Sequence, residues 1–232
     1  MPLILNIETS GKICSAALSR DTVLEVQYDD HEGMAHSTRL APFVARCLED
    51  VERRGDRLDA IAVSAGPGSY TGLRIGLSMA KGLAFALDLP LIGVDTLKLI
   101  AVKAMFRNMD WTGEEILVPM VDARRMEVYT APYDFALNAL ETPGPKIVTP
   151  DSFAELLSDH QLYFMGDGAA KTREVISHPN AHWIDGILPQ AKDMIALSEK
   201  AFRENDFIDI AYSTPNYLKD YHTTVARNPL AI

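Results

Sequence analysis

One segment constrains this chain more than any other: Gly66-Pro67-Gly68-Ser69-Tyr70-Thr71-Gly72-Leu73-Arg74-Ile75-Gly76. It follows Leu58-Asp59-Ala60-Ile61-Ala62-Val63-Ser64, which reads as a buried strand, and leads into a helix expected to end near Leu87. In that helix Gly72, Gly76, Ala80 and Ala84 recur at every fourth position, so they share one face. Glycine in a helix interior costs about 1 kcal/mol relative to alanine. Placing Gly72 and Gly76 on one face, with Gly82 nearby, needs a packing reason. The reason expected is close approach of another helix backbone, either from this chain or from a second one. Leu73, Leu77, Met79 and Leu83 flank the stripe as apolar contacts. Glycines between a strand and a helix also let backbone N–H groups approach an anion. The segment is not a Walker loop, because no Gly-Lys-Ser/Thr follows, and its glycines are misspaced for a dinucleotide fingerprint.

Around this segment the pattern alternates between strands and helices. Leu3, Leu5 and Ile7 lie on one face of a first strand. Turns at 10–12 and 20–21 separate it from strands over 13–18 and 23–26, giving an antiparallel meander. Leu40, Phe43, Val44, Cys47, Leu48 and Val51 then mark one face of a helix, with Ser37 as N-cap and Gly55 as stop. A short strand at 91–94 precedes Asp95, which caps a helix to about Arg107. Residues 108–115 are polar and read as the boundary between lobes. Beyond it come strands over 116–121 and 127–131, a loop at 142–145 and a short helix capped by Asp151. A strand at 162–165 runs into Gly166-Asp167-Gly168, and a last helix follows Pro189. The prediction is an α/β protein of two similar lobes, 1–108 and 109–232, ending in a partly ordered tail from Thr214.

The composition suits a globular chain, with 47% hydrophobic and 23% charged residues. No uncharged apolar stretch is long enough for a membrane span, and a cytoplasmic location is expected. Cys14 and Cys47 are too few for a disulfide framework and read as core residues. The net charge is −10, which is unlike a chain that binds RNA alone. Arg53-Arg54-Gly55-Asp56-Arg57 and Arg124-Arg125 are short basic runs that read as solvated surface. Two segments have the look of phosphate loops: the hydroxyl-rich turn with Thr9 and Ser10, and the glycine segment with Gly66, Gly68 and Ser69. Asp122 at a strand end either assists a nucleotide-bound cation or caps its turn. No His-Glu-x-x-His or Cys-x-x-Cys is present, so no catalytic metal is expected.

Several segments, in this order, resemble the TsaB (YeaZ) family. They are Ile4-Leu5-Asn6-Ile7-Glu8-Thr9-Ser10, the stretch from Gly66 to Gly76, Ala80-Lys81-Gly82-Leu83-Ala84 and Pro90-Leu91-Ile92-Gly93-Val94-Asp95-Thr96-Leu97. Asp122-Ala123-Arg124-Arg125-Met126-Glu127-Val128-Tyr129 and Gly166-Asp167-Gly168 continue the likeness. It spans most of the chain and is strongest before Val94. The tail departs from it, with lysine in place of arginine in Tyr217-Leu218-Lys219.

The resemblance implies the two-lobed ASKHA fold of actin-like ATPases. It implies a non-catalytic subunit that supports TsaD, a paralogue that threonylcarbamoylates the tRNA adenosine 3′ of the anticodon, with TsaE, an ATPase, joining them. TsaD holds its metal with a His-x-x-x-His motif, a spacing that this chain shows only at His178 and His182 in its second half. Pairing with TsaD is expected through the first two helices, at Leu40, Val44, Gly72, Leu73, Gly76, Met79, Ala80 and Leu83. The same helices could instead pair two copies of this chain in isolation, an alternative the sequence leaves open, and tRNA is expected to be contacted mainly through the complex. Thr9, Ser10, Gly66, Gly68 and Ser69 would then be vestigial phosphate loops. No cofactor is required, and weak ATP or ADP binding is placed at the inter-lobe cleft or the partner interface. The competing class is a stand-alone ATP-dependent enzyme or a glycoprotease-like metallopeptidase.

Overall fold

The computed structural model describes residues 1–33, 35–107 and 110–219. It contains two five-stranded sheets. The first comprises β1 (Leu3–Glu8), β2 (Cys14–Arg20), β3 (Val23–Asp30), β4 (Ala60–Gly66) and β5 (Leu91–Asp95), in the order β3-β2-β1-β4-β5. The second comprises β6 (Ile116–Asp122), β7 (Glu127–Thr130), β8 (Gly144–Ile147), β9 (Leu162–Met165) and β10 (Ala181–Ile184), in the order β8-β7-β6-β9-β10. Each sheet is an antiparallel meander extended by parallel strands, so the second lobe repeats the first strand for strand. This is the two-lobed ASKHA architecture. The sequence pattern leaves out β8 and β10, which are short edge strands. Pro145 is tolerated in β8 because an edge strand can lack one ladder hydrogen bond.

Both faces of the first sheet are buried, which is why β1 and β4 are almost wholly apolar. Leu3, Leu5, Ile7, Ile61 and Val63 face α1 (His36–Arg54) and α2 (Tyr70–Leu87), where they meet Leu40, Val44, Cys47, Leu77 and Ala80. Ile4, Ala60, Ala62, Ile92 and Val94 face the other way, toward Leu99 and Met194. Leu99 belongs to α3 (Thr96–Arg107). The opposite side of α3 places Leu97, Ile100, Ala101 and Ala104 against Leu117, Val121 and Met165 of the second sheet. One helix is thus shared between the two cores. The far face of the second sheet packs on Phe153 and on Leu157 of α4 (Ala154–Asp159).

Several expectations of local detail are corrected. No side chain caps α1 at Ser37; its N-cap is Ala35. Asp151 does not cap α4, where Phe153 holds the N-cap position in a left-handed conformation. By contrast, the Asp95 carboxylate does accept the Lys98 N–H at 2.9 Å, as a cap should. Of the expected lobe boundary at 108–115, Asn108 and Met109 lie outside the described residues, as does the tail from 220 onward. The expected second lobe, 109–232, also loses its C-terminal part to the first. There α5 (Ile195–Glu204) packs its Leu197, Ala201 and Phe202 on the first sheet. The chain then crosses that lobe as a strap. The Ile208 N–H donates to the Leu91 carbonyl at 2.8 Å and the Asn216 N–H to the Ala65 carbonyl at 2.7 Å. Lys81 Nζ holds the strap by its Ser213 carbonyl at 2.6 Å. Among the described residues no helix is long and apolar enough to cross a membrane.

The glycine stripe of α2 faces the turn between β1 and β2. A Cβ on Gly72 would overlap the Thr9 carbonyl oxygen, and one on Gly76 would overlap the Thr9 hydroxyl. A Cβ on Gly68 would overlap the Ser10 carbonyl, which accepts the Ser69 N–H at 2.7 Å. The close partner that the stripe demands is therefore a hairpin turn of the same lobe, not a second helix. Beneath this turn Glu8 is fully buried. Its Oε1 accepts both the N–H and the hydroxyl of Ser10 at 2.5 Å, while Oε2 has no hydrogen-bond partner. Burial pushes the Glu8 carboxyl up from 4.5 to about 7, against the opposing pull of the Ser10 hydrogen bonds.

This packing has measurable consequences for stability. Gly72→Ala should destabilise by about 1–3 kcal/mol through overpacking, although alanine is the better helix former. Gly82→Ala, where a Cβ meets nothing within 4 Å, should gain up to about 1 kcal/mol. Urea midpoints of the two variants read the difference, and equal shifts would refute the packing. For Glu8, folding favours the protonated form, so stability falls as pH rises from 4.5 to about 7 and is level above that. Glu8→Gln should therefore gain about 3 kcal/mol on the parent chain between pH 4.5 and pH 8, measured by urea unfolding at each pH. A pH-independent difference would show that Glu8 does not carry this cost.

Candidate functional site

The turn expected to bind phosphate is closed. Thr9 and Ser10 are buried, and both of their N–H groups are engaged, that of Thr9 with Ser64 Oγ at 3.3 Å and that of Ser10 with Glu8. Neither of these two N–H groups is free to meet a phosphate. The expectation that Thr9 and Ser10 form an anion cradle is corrected for this reason. Gly66 is buried, and its ideal Cβ would lie 2.9 Å from the Asn216 carbonyl oxygen of the strap. Ser69 caps α2 by accepting the Gly72 N–H at 3.2 Å. Of the glycine segment, Pro67 and Gly68 still border open space.

The expected interface residues divide sharply. Leu40, Val44, Gly72, Leu73, Gly76 and Ala80 are buried in the core of their own lobe. No neighbouring chain can touch them without unfolding that core, which corrects their assignment as contact residues. Met79 and Leu83 are half-buried and reach the surface. With Ile75, Ser78, Gly82 and Arg74 they line an apolar groove of about 600 Å³ along α2. The residues at 74, 78 and 82 lie two positions on from the glycine stripe, about 200° around the helix, so they point away from the sheet. Ile75, Ser78 and Gly82 are groove residues that sequence reasoning does not single out. The spacing of four among Arg74, Ser78 and Gly82 is visible, but nothing in it distinguishes the outward stripe from the inward one. Phe85, one turn beyond Lys81, is 82% exposed.

A larger cleft of about 1000 Å³ lies between the lobes. Pro67, Gly68, Tyr70 and Arg74 form one wall, the β6–β7 turn from Ala123 to Met126 forms the other, and the strap borders it at Tyr217. Arg74 stacks over Tyr70 at 4.0 Å and donates from Nε to the Tyr217 hydroxyl at 2.8 Å. Tyr70 and Tyr217 also pack against each other, tilted by 34° with 5.1 Å between centroids. Lys219, the position at which the tail departs from its family pattern, donates to both carboxylate oxygens of Glu127 at 2.8 Å and so ties the strap to the second lobe. A partly exposed pair of this kind is worth about 0–1 kcal/mol, so the core shared through α3 holds the lobes together. Asp122 accepts the Arg124 N–H at 3.1 Å and pairs with Lys171, which makes it a turn cap. Among the described residues no group of three or more His, Cys, Asp or Glu is placed to hold a metal ion.

Comparison with known proteins agrees with this fold. The family described as "TsaD: tRNA N6-adenosine threonylcarbamoyltransferase" matches residues 31–228. The tRNA threonylcarbamoyladenosine biosynthesis protein TsaB of Bacillus subtilis (strain 168) is 32% identical, with 93% of each chain covered. The protein of the same name from Escherichia coli (strain K12) is 30% identical over 94% of each. Among solved structures, YeaZ from Pseudomonas aeruginosa superposes with a TM-score of 0.74 at 27% identity, covering 94% of this chain and 100% of that one. The chain belongs to the TsaB (YeaZ) family, whose named members are tRNA threonylcarbamoyladenosine biosynthesis proteins.

Proposed function

We propose that this chain is a non-catalytic subunit that docks a TsaD-type threonylcarbamoyltransferase on the outward face of α2 and supports it in modifying the tRNA adenosine 3′ of the anticodon. The observation that carries the reading is the groove of Ile75, Met79 and Leu83, with small residues Ser78 and Gly82 on its open side. It is apolar and lies on a helix that is otherwise locked into its lobe. A partner helix can approach closely at Gly82, where no atom lies within 4 Å of an ideal Cβ. The occupant is a chain of the same fold, because the transferase family matches this sequence from 31 to 228. Two related chains can pack equivalent helices about a pseudo-two-fold axis, and in the partner's absence two copies of this chain can do the same.

The β1–β2 turn supports a non-catalytic role over a stand-alone ATP-dependent enzyme, since the N–H groups of Thr9 and Ser10 are already engaged. The reading requires no cofactor on this chain, and ATP or ADP is expected to bind weakly. In this reading a TsaE-type ATPase joins the pair, and tRNA is contacted mainly through the complex.

Met79→Glu and Leu83→Glu place charge in the groove at half-exposed positions, so the fold should survive. Each is expected to weaken binding to the TsaD-type partner on the order of 100-fold, read by calorimetry on variants with parental circular dichroism. Undiminished affinity in both would remove the groove as the interface. A large side chain at Gly76 would not test the interface, because it should unfold the lobe through Thr9.

A further inference from the structure

The inter-lobe cleft holds a concentration of positive charge that the proposed docking role does not use. The chain carries a net charge of −10, yet Arg74, Arg124 and Arg125 all line this one cavity. The nearby carboxylates are already engaged. Asp122 pairs with Lys171 and Glu127 with Lys219, while Asp167 accepts the Asp122 N–H at 2.9 Å. The side chains of Arg124 and Arg125 have no hydrogen-bond or ion-pair partner among the described residues. Both also adopt positive φ, 71° and 50°, a conformation that L-residues take at a cost and that glycine or asparagine would relieve. Consecutive strained arginines on the rim of a cleft point to the guanidinium groups as the reason for those residues.

We propose that this cleft binds a single-stranded segment of RNA, with its phosphodiesters on Arg74, Arg124 and Arg125 and one base stacked on the Tyr70–Tyr217 pair. Each tyrosine is 38% exposed, and Arg74 fixes both rings by stacking on Tyr70 and hydrogen bonding to Tyr217. Cations that track a backbone beside aromatic platforms are the usual means of holding single strands. A nucleoside triphosphate fits less well. Its compact cluster of charge needs converging N–H groups or a cation, whereas the β1–β2 turn is closed and the arginines are divided between opposite walls. At about 1000 Å³ the cavity lies at the upper end of the roughly 300–1,000 Å³ range of small-molecule pockets.

The inference rests on the role in tRNA modification proposed above, but its test uses the full chain alone, so partner binding and RNA binding are read separately. Fluorescence anisotropy is measured with an end-labelled single-stranded oligoadenylate, with the same strand in a duplex, and with ATP as competitor, over a series of salt concentrations. The single strand is expected to bind best. Arg124→Ala/Arg125→Ala should reduce the slope of log affinity against log salt by about 1.4, or about 0.7 for each phosphate that the variant no longer neutralises. Tyr217→Ala should weaken the strand about tenfold and leave that slope unchanged. All three positions are exposed or half-exposed, and unchanged circular dichroism confirms the fold. Unchanged slope and affinity in the double arginine variant would overturn the proposal. So would binding of ATP at the arginines without any binding of the oligonucleotide.

Discussion

The architecture of the first lobe depends on the contact between α2 and the β1–β2 turn. Gly68, Gly72 and Gly76 bring the helix so close that a methyl group at any of the three would strike Thr9 or Ser10. That approach has three results. It buries the Glu8 carboxyl, it buries Thr9 and Ser10 with their N–H groups engaged, and it fixes the rotation of α2. With the glycines facing inward, Arg74, Ser78 and Gly82 must face outward. The groove on the outer surface is thus set by a packing constraint on the inner one.

The second lobe repeats this arrangement in reduced form. The loop after β9 also crosses the end of the first strand of its sheet, so that a Cβ on Gly166 would overlap the Met120 carbonyl and one on Gly168 would lie 3.0 Å from the Asp122 nitrogen. The helix that follows is only the short 3₁₀ turn Ala170–Thr172. Without a long helix over it, the β6–β7 turn stays open and presents Arg124 and Arg125 to the cleft. The asymmetry between the lobes follows from the length of one helix. Where it is long, the turn is closed and an apolar groove forms on its back. Where it is short, the turn remains available to a ligand.

Arg74 joins these two regions. It lines the groove on α2 and also the cleft, where it stacks on Tyr70 and holds Tyr217 of the strap. A partner seated in the groove would lie beside the residue that organises the aromatic wall of the cleft. In the proposed reading this gives a short physical path between partner docking and RNA contact, with no hinge required. The acidic surface elsewhere fits that division, since it disfavours nonspecific contact with nucleic acid and leaves the cleft as the local exception.

Much of the fold was legible in the sequence because it depends on local periodicity. Alternation in β1 and β2, the apolar face of α1, the Gly55 stop and the Asp95 cap all act over a few residues, and the structure keeps them. The antiparallel meander of the first lobe, and a second lobe of similar build, could be read from the same signals. The short edge strands β8 and β10 could not, because their burial is weak and their pairing comes from distant strands. The return of α5 and the strap to the first lobe was also hidden, since an amphipathic helix does not specify which sheet it will cover. For the site, the sequence alone established that α2 carries a stripe of small residues that something must approach closely. Only the tertiary structure decided that this something is Thr9 of the same lobe, because a spacing of four fixes which residues share a face but not which way that face turns. The same limit explains Arg124 and Arg125, which in sequence are one more charged pair. It took the folding of two distant segments around a common cleft to set them opposite Arg74.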